Sequence, residues 1–258
     1  MALIRRTLCA AVILLSACGA ANRSVQSPGD IAGTSTVSAC SPADLQLPFD
    51  FSKPVIVGEI HGTAQTGPMV FALICSAITS GRSVRLAVEM PPQAVEDVYG
   101  GPVTNPFWQS RYPDGRASIA MRQLLISLSD LRRSGALEVV GFMGETDSDE
   151  SSEPASAERI RTGIRAGDAV VVLVGNYHAR RATEQSGQDT LTSALGDVVN
   201  INIANSLPGT VWACMPECGV HAIRGSTGNL PLGINPVSPA NGFDYYYVVE
   251  TFTPSEPF

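Results

Sequence analysis

Four stretches of the chain are apolar and β-branched, and each stops at a residue able to do chemistry. Val55-Ile56-Val57 runs into Gly58-Glu59-Ile60-His61-Gly62-Thr63, and Ala169-Val170-Val171-Val172-Leu173-Val174 runs into Gly175-Asn176-Tyr177-His178. Val84-Arg85-Leu86-Ala87-Val88 ends at Glu89, and the run from Leu137 to Gly144 ends at Glu145. Such runs are the pattern of strands buried on both faces, as in a parallel sheet. Between them apolar residues recur at helical spacing. Val70, Leu73, Ile74 and Ala77 mark a helix over Thr66 to Thr79 with Gly81 as its stop, and Met121, Leu124, Leu125, Leu128 and Leu131 mark another. A short helix between Pro91-Pro92 and Gly100-Gly101, helices at about Ala155 to Ala166 and Thr190 to Leu195, and a strand from Val198 to Ala204 complete the series. Strands alternating with helices predict an α/β fold: a mostly parallel central sheet flanked by helices.

From Gly209 the character changes. Val211-Trp212-Ala213 and Val220-His221-Ala222-Ile223 flank a cysteine pair like a small hairpin, residues 225–242 are rich in Gly, Pro and Asn, and Phe243 to Glu250 reads as a last strand. These are expected to form antiparallel edge strands at the C-terminal side of the sheet.

The other end reads as a targeting segment. Arg5 and Arg6 precede an apolar stretch from Leu8 to Leu15, too short to span a bilayer, and small residues follow. Leu15-Ser16-Ala17-Cys18-Gly19 resembles a bacterial lipobox, which makes residues 1–17 a lipoprotein signal peptide and Cys18 the lipidated residue, with ordinary secretory cleavage nearby as the alternative. Gly19 after that cysteine resembles the outer-membrane sorting pattern, so the expected place is the bacterial cell envelope, lipid-anchored and facing the periplasm. Residues 18–42 are mostly small and polar and read as a flexible tether, leaving 43–258 as a single domain.

Charge narrows the partners. Seventeen basic residues face 24 acidic ones, a net of −7, and loss of Arg5 and Arg6 leaves 15 against 24, or −9. With Lys53 the one lysine, that balance excludes nucleic acid and an anionic membrane surface as natural partners. Membrane contact is expected through the lipid anchor alone.

Export implies an oxidising compartment, where Cys40, Cys75, Cys214 and Cys218 suggest two disulfides from three possible connectivities. Cys214-Met215-Pro216-Glu217-Cys218 can close as a local turn, which leaves Cys40 for Cys75. Zinc held by Cys214, Cys218 and His221 is the sharper alternative, without a visible fourth ligand.

The candidate chemistry lies at the strand ends, where ligands bind in open parallel sheets. Glu59 and His61 stand two apart and share a side if the extended geometry persists. His178 repeats the arrangement, and the chain has only three histidines. Arg116, near a helix start, is unfavourable to the helix dipole unless an anion pairs with it, either a carboxylate such as Glu89 or a substrate anion; the alternative is a solvated arginine on a loop. The loop Phe107-Trp108-Gln109-Ser110-Arg111-Tyr112-Pro113-Asp114-Gly115 is a candidate lid or substrate wall, or else a surface loop tacked down by its aromatics. The acidic run Glu145 to Glu153 lacks the spacing of a calcium loop and reads as solvated.

Taken in order, Gly58-Glu59-Ile60-His61-Gly62, Ala87-Val88-Glu89-Met90-Pro91 and Gly175-Asn176-Tyr177-His178 resemble the superfamily of ChaN-like haem-binding uptake lipoproteins, Tiki/TraB proteases and erythromycin esterases. Phe107-Trp108 and Asp114-Gly115-Arg116 resemble the ChaN-like branch in particular. The resemblance spans roughly Val55 to Ile203. Tiki-like members imply metal-dependent proteolysis with His61, His178 and Glu89, and esterase-like members imply water activation by His61 and Glu59. ChaN-like members imply haem, for which no ligating tyrosine falls on a matching motif.

Two expectations follow, with a fold whose site is dead and which serves as an envelope scaffold as a third possibility. One is a hydrolase of an ester or peptide bond, acting on a small molecule or peptide through Glu59, His61, Glu89, His178 and Arg116, with zinc or manganese held by His61, His178 and Glu59. The other is a haem- or iron-binding uptake lipoprotein without catalysis.

Overall fold

The computed structural model describes residues 40, 45–109, 114–144, 152–181 and 189–258. The signal peptide, Cys18, nearly all of the tether and Glu145 lie outside the described residues. Thr34–Phe258 falls in one compact unit.

The chain runs β1 (Val55–Glu59), α1 (Thr66–Thr79), β2 (Val84–Val88), α2 (Pro92–Gly100), α3 (Ile119–Ser127), α4 (Ser129–Arg133) and β3 (Leu137–Gly141). It continues α5 (Glu153–Arg161), β4 (Ala169–Gly175), α6 (Asn176–Ala179), α7 (Leu191–Leu195) and β5 (Val199–Asn205). Then come β6 (Gly209–Cys214), β7 (Cys218–Ile223), β8 (Gly233–Pro236) and β9 (Tyr245–Val249). Seven strands make one sheet in the order β3-β2-β4-β1-β5-β9-β8, parallel from β3 through β9 with β8 antiparallel at the edge. The α/β class with a mostly parallel sheet is thus what the alternation predicts.

The edge differs in detail. The cysteine hairpin, β6 with β7, forms its own two-stranded sheet, and the antiparallel edge strand comes instead from the Gly/Pro/Asn-rich stretch. The last strand pairs parallel to β5, because the forty or so residues between them give ample length for a crossover.

Both faces of the sheet are covered, which is why its central strands β1 and β4 are apolar up to their carboxyl ends. Val55, Val57, Leu86, Val88, Val171 and Leu173 pack with Val70 and Leu73 of α1 and Leu124 and Leu125 of α3. Ile56, Ala87, Val170, Val172 and Val174 pack on the other face with Ala157 and Ile160 of α5 and Leu191 of α7. Arg85, the one charge within β2, pairs with Glu138 at 2.7 Å and donates to the Thr162 carbonyl at 2.6 Å.

Disulfides join Cys40 to Cys75 and Cys214 to Cys218. The second leaves no thiolate for zinc, and His221 Nε2 instead lies 3.0 Å from the Ala213 carbonyl and 2.9 Å from that of Glu217. Phe107 and Trp108 are buried, with the indole N–H donating to the Ala94 carbonyl at 2.8 Å, so these two aromatics anchor the start of the loop, while Ser110 to Pro113 lie outside the described residues. Among the described residues no helix is long and apolar enough to cross a membrane.

Candidate active site

The strand register assembles the site. In the β1–β4 ladder Glu59 stands opposite Gly175, and in β2–β4 Val88 stands opposite Leu173. The residues that follow these pairs, His61, Glu89 and His178, therefore emerge together at the carboxyl edge of three adjacent strands. Gly175 makes the close approach possible: a Cβ there would lie 2.8 Å from His61 Nε2. Gly62 (φ +74°) turns the chain sharply after His61.

Glu89 is the centre. Its Oε2 accepts the Gly175 N–H at 2.8 Å and faces His61 Nε2 at 3.5 Å. Its Oε1 accepts from Arg116 Nη1 at 3.2 Å and faces His178 Nε2 at 3.8 Å. Each imidazole is held from behind by a further carboxylate. His61 Nδ1 lies 3.1 Å from Glu59 Oε1, and His178 Nδ1 bonds Glu153 Oε1. The side chains thus alternate, Glu59, His61, Glu89, His178, Glu153, with Glu59 the least exposed (5 %) and His178 the most (38 %). Arg116 is itself steered by Asp114, whose Oδ2 accepts from its Nε at 2.7 Å.

This alternation shapes the protonation states. Burial disfavours a charged His61, but the hydrogen bonds and charges of Glu59 and Glu89 outweigh it and push its pKa up to about 10. Burial likewise works against an ionised Glu89, yet His61, Arg116 and His178 together lower it to about 2. The hydrogen bond that His178 donates to Glu153 is the main reason that its pKa is raised, against burial and the charge on His61. At neutral pH the interior imidazole is a cation beside the Glu89 carboxylate, and Glu153 favours the charged form of the outer one.

All five residues read from the sequence, Glu59, His61, Glu89, Arg116 and His178, are brought together here. Glu153 was missed, because it closes an acidic run that reads as solvated. Its local signal is Ser152 capping α5 by accepting from the Ala155 N–H, followed by an acid and a proline in the first turn. The expected metal set is not formed. Glu59 meets His61 at Nδ1, on the far side of the ring from the nitrogen that faces Glu89, so Glu59 and both Nε2 atoms do not converge on one point. Among the described residues no group of three or more His, Cys, Asp or Glu is arranged to hold a metal ion, and the Arg116 guanidinium already sits on Glu89. Both Nε2 atoms instead face Glu89, at 3.5 and 3.8 Å, with Nδ1 of each ring held by a further carboxylate.

No family model and no curated protein matches the chain. Solved structures match in fold. A succinoglycan biosynthesis protein aligns with a TM-score of 0.57 at 11 % identity, covering 87 % of this chain and 97 % of that one. A protein from Bacillus cereus aligns with a TM-score of 0.54 at 10 % identity, covering 86 % of this chain and 91 % of that one. Likeness at these identities shows the shared α/β fold and nothing of the chemistry.

Proposed function

We propose that the chain is a hydrolase of a neutral or cationic ester or amide, working by proton transfer between two imidazoles without a resident metal. The observation that supports this is one buried carboxylate, Glu89, with an imidazole Nε2 on each side and a separate carboxylate behind each ring. His178, the more exposed ring, is the base: once neutral, its Nε2 takes a proton from water while Glu153 holds Nδ1 and fixes the tautomer. His61, held protonated, is the acid for the leaving group, and Glu59 and Glu89 orient it. Arg116 keeps Glu89 ionised. The rate should rise with pH as His178 loses its proton and fall again as His61 does, near pH 10.

In a haem reading His178, the more exposed ring, would offer Nε2 as the axial ligand while Glu153 holds Nδ1. Membership of the ChaN/Tiki-like superfamily, the signal peptide, the lipid anchor at Cys18 and a place in the bacterial envelope belong to the same proposal. The two disulfides support export.

The test is turnover of a panel of 4-nitrophenyl esters and aminoacyl 4-nitroanilides by purified protein, with and without chelator. We expect His61→Ala and His178→Ala each to cost about a hundredfold or more, with chelation having no effect. Turnover that disappears on chelation and returns with zinc or manganese would restore the metal. A shifted Soret band on adding haem, abolished by His178→Ala, in a protein inert to the whole panel would favour the binding module.

A further inference from the structure

The segment after β9 makes an unusual set of contacts. Thr253 exchanges bonds with Gln65: Gln65 Nε2 donates to Thr253 Oγ1 at 2.9 Å, and the Thr253 N–H donates to Gln65 Oε1 at 3.0 Å. The Ala64 N–H donates to the Thr253 carbonyl at 3.0 Å, and Thr63 bridges Pro254. Ser255 then donates its N–H to the Gly62 carbonyl at 2.8 Å. This half of the segment runs along the turn that follows His61.

Its other half runs along the start of α3, directly after Arg116. Ser255 Oγ accepts the Ala120 N–H at 2.8 Å, and the Glu256 carbonyl accepts that of Ile119 at 2.9 Å. These are amides that a helix start leaves without intrahelical partners. The Phe258 N–H donates to the Ala117 carbonyl at 3.0 Å, and its ring meets Trp108 at 6.1 Å and the Arg122 guanidinium at 4.1 Å. Ser255 is buried (6 % exposed) and is the residue that bonds both sides. The two loops also touch directly, since a Cβ on Gly115 would lie 2.5 Å from the Gly62 nitrogen.

We propose that Ser255 is a positioning residue and that Thr253 to Phe258 act as a strap fixing the turn of His61 to the loop of Arg116. His61 and Arg116 reach different oxygens of Glu89, so their separation sets how both engage it. The strap closes the third side of that arrangement, with Glu89 on the sheet as the first and the Gly62–Gly115 contact as the second. This inference rests on the hydrolase reading for its kinetic consequence but not for its geometry.

The test therefore carries two readouts on the full chain. Ser255→Pro removes the N–H donated to Gly62 as well as the hydroxyl, Ser255→Ala removes the hydroxyl alone, and Ser255→Thr keeps both groups. For Ser255→Pro we expect kcat on the active ester to fall about tenfold or more with KM changed far less, and Ser255→Thr to stay close to wild type. The NMR titration midpoint of His61 should fall from about 10 toward its ordinary 6.5. That second readout needs no turnover: a moved midpoint in a protein inert to all substrates sinks the hydrolase and leaves the strap. If Ser255→Pro does not fold, Ser255→Ala should show the same two changes, smaller in size. A lowered melting temperature with kcat and the His61 midpoint both unmoved overturns the proposal.

Discussion

Replacing Gly175 by alanine tests whether the site depends on the placement of one ring. The backbone there has φ −56° and ψ 143°, which alanine adopts without strain, so any effect belongs to the added carbon alone. That carbon would stand 2.8 Å from His61 Nε2, 3.5 Å from His61 Cε1 and 3.6 Å from Glu89 Oε2. Ordinary contact begins at 3.4 Å, so the ring must retreat by 3.4 − 2.8 = 0.6 Å. Behind it Glu59, nearly closed off from solvent, holds Nδ1 at 3.1 Å and leaves little room. The retreat lengthens the 3.5 Å approach of Nε2 to Glu89.

Overpacking of this kind costs about 1–3 kcal/mol, and the alanine returns about 0.4–1 kcal/mol by restricting the unfolded chain. The net is about 1–2 kcal/mol, a fall of several degrees in melting temperature for a domain of this size. Activity should suffer more, since a displacement approaching 1 Å at a reacting group costs about a hundredfold. The assay pairs ester turnover with thermal unfolding and includes Gly58→Ala, whose Cβ would lie 2.7 Å from the Ala179 methyl and 3.0 Å from the Asn176 Cα. That clash is with packed carbon, so Gly58→Ala should show the larger loss of stability. Full activity in Gly175→Ala refutes the reasoning, and so does a loss of activity no greater than its loss of stability explains.

Stability should depend on pH from both sides. The His61 contribution is complete below its ordinary 6.5 and is lost as pH rises through about 10, whereas that of Glu89 is complete above 4.5 and is lost as pH falls through about 2. The melting temperature should therefore be highest between about pH 4.5 and 6.5, and His61→Gln should flatten its alkaline decline; an unchanged decline in that variant refutes the assignment. Glu153→Gln removes the principal cause of the raised His178 pKa, so the acidic limb of the pH–rate profile should move to lower pH while the alkaline limb stays. A shift confined to the alkaline limb would exchange the roles of the two histidines.

The parts of this molecule that could be read from residues alone are those a two-sided sheet dictates. A strand buried on both faces tolerates almost no polar side chain, so Val55 to Val57 and Ala169 to Val174 announce themselves, and the polar residues just past them collect at one edge. Thr66–Thr79 was legible to the residue because Gly81, at φ +84°, stops it. Glu153 was not, since an acid in an acidic run looks solvated until His178 is known to face it. Nor was the side of the His61 ring that Glu59 takes. Two imidazoles and two carboxylates have the composition of a zinc or manganese site, but only coordinates show Glu59 behind a ring and Arg116 already on Glu89.

Charge carries the argument to substrate class. Arg116 near a helix start had two possible anions, a carboxylate of the chain or one brought by a substrate, and the structure supplies both Glu89 and Asp114. Counting the groups, Glu59, Glu89, Glu153 and Asp114 bring four negative charges against three positive ones from Arg116 and two imidazolium rings, a balance of 3 − 4 = −1. Once His178 gives up its proton the balance is −2, so the active form of the site is more negative than the resting one. An anionic substrate would meet growing repulsion at the step where it must react, and the chain as a whole, at −7 with these groups included, is also negative. A neutral ester or amide avoids that penalty, and a cationic one gains from it. The same excess of carboxylate keeps His61 protonated until well into the alkaline range, which is what an acid for the leaving group requires.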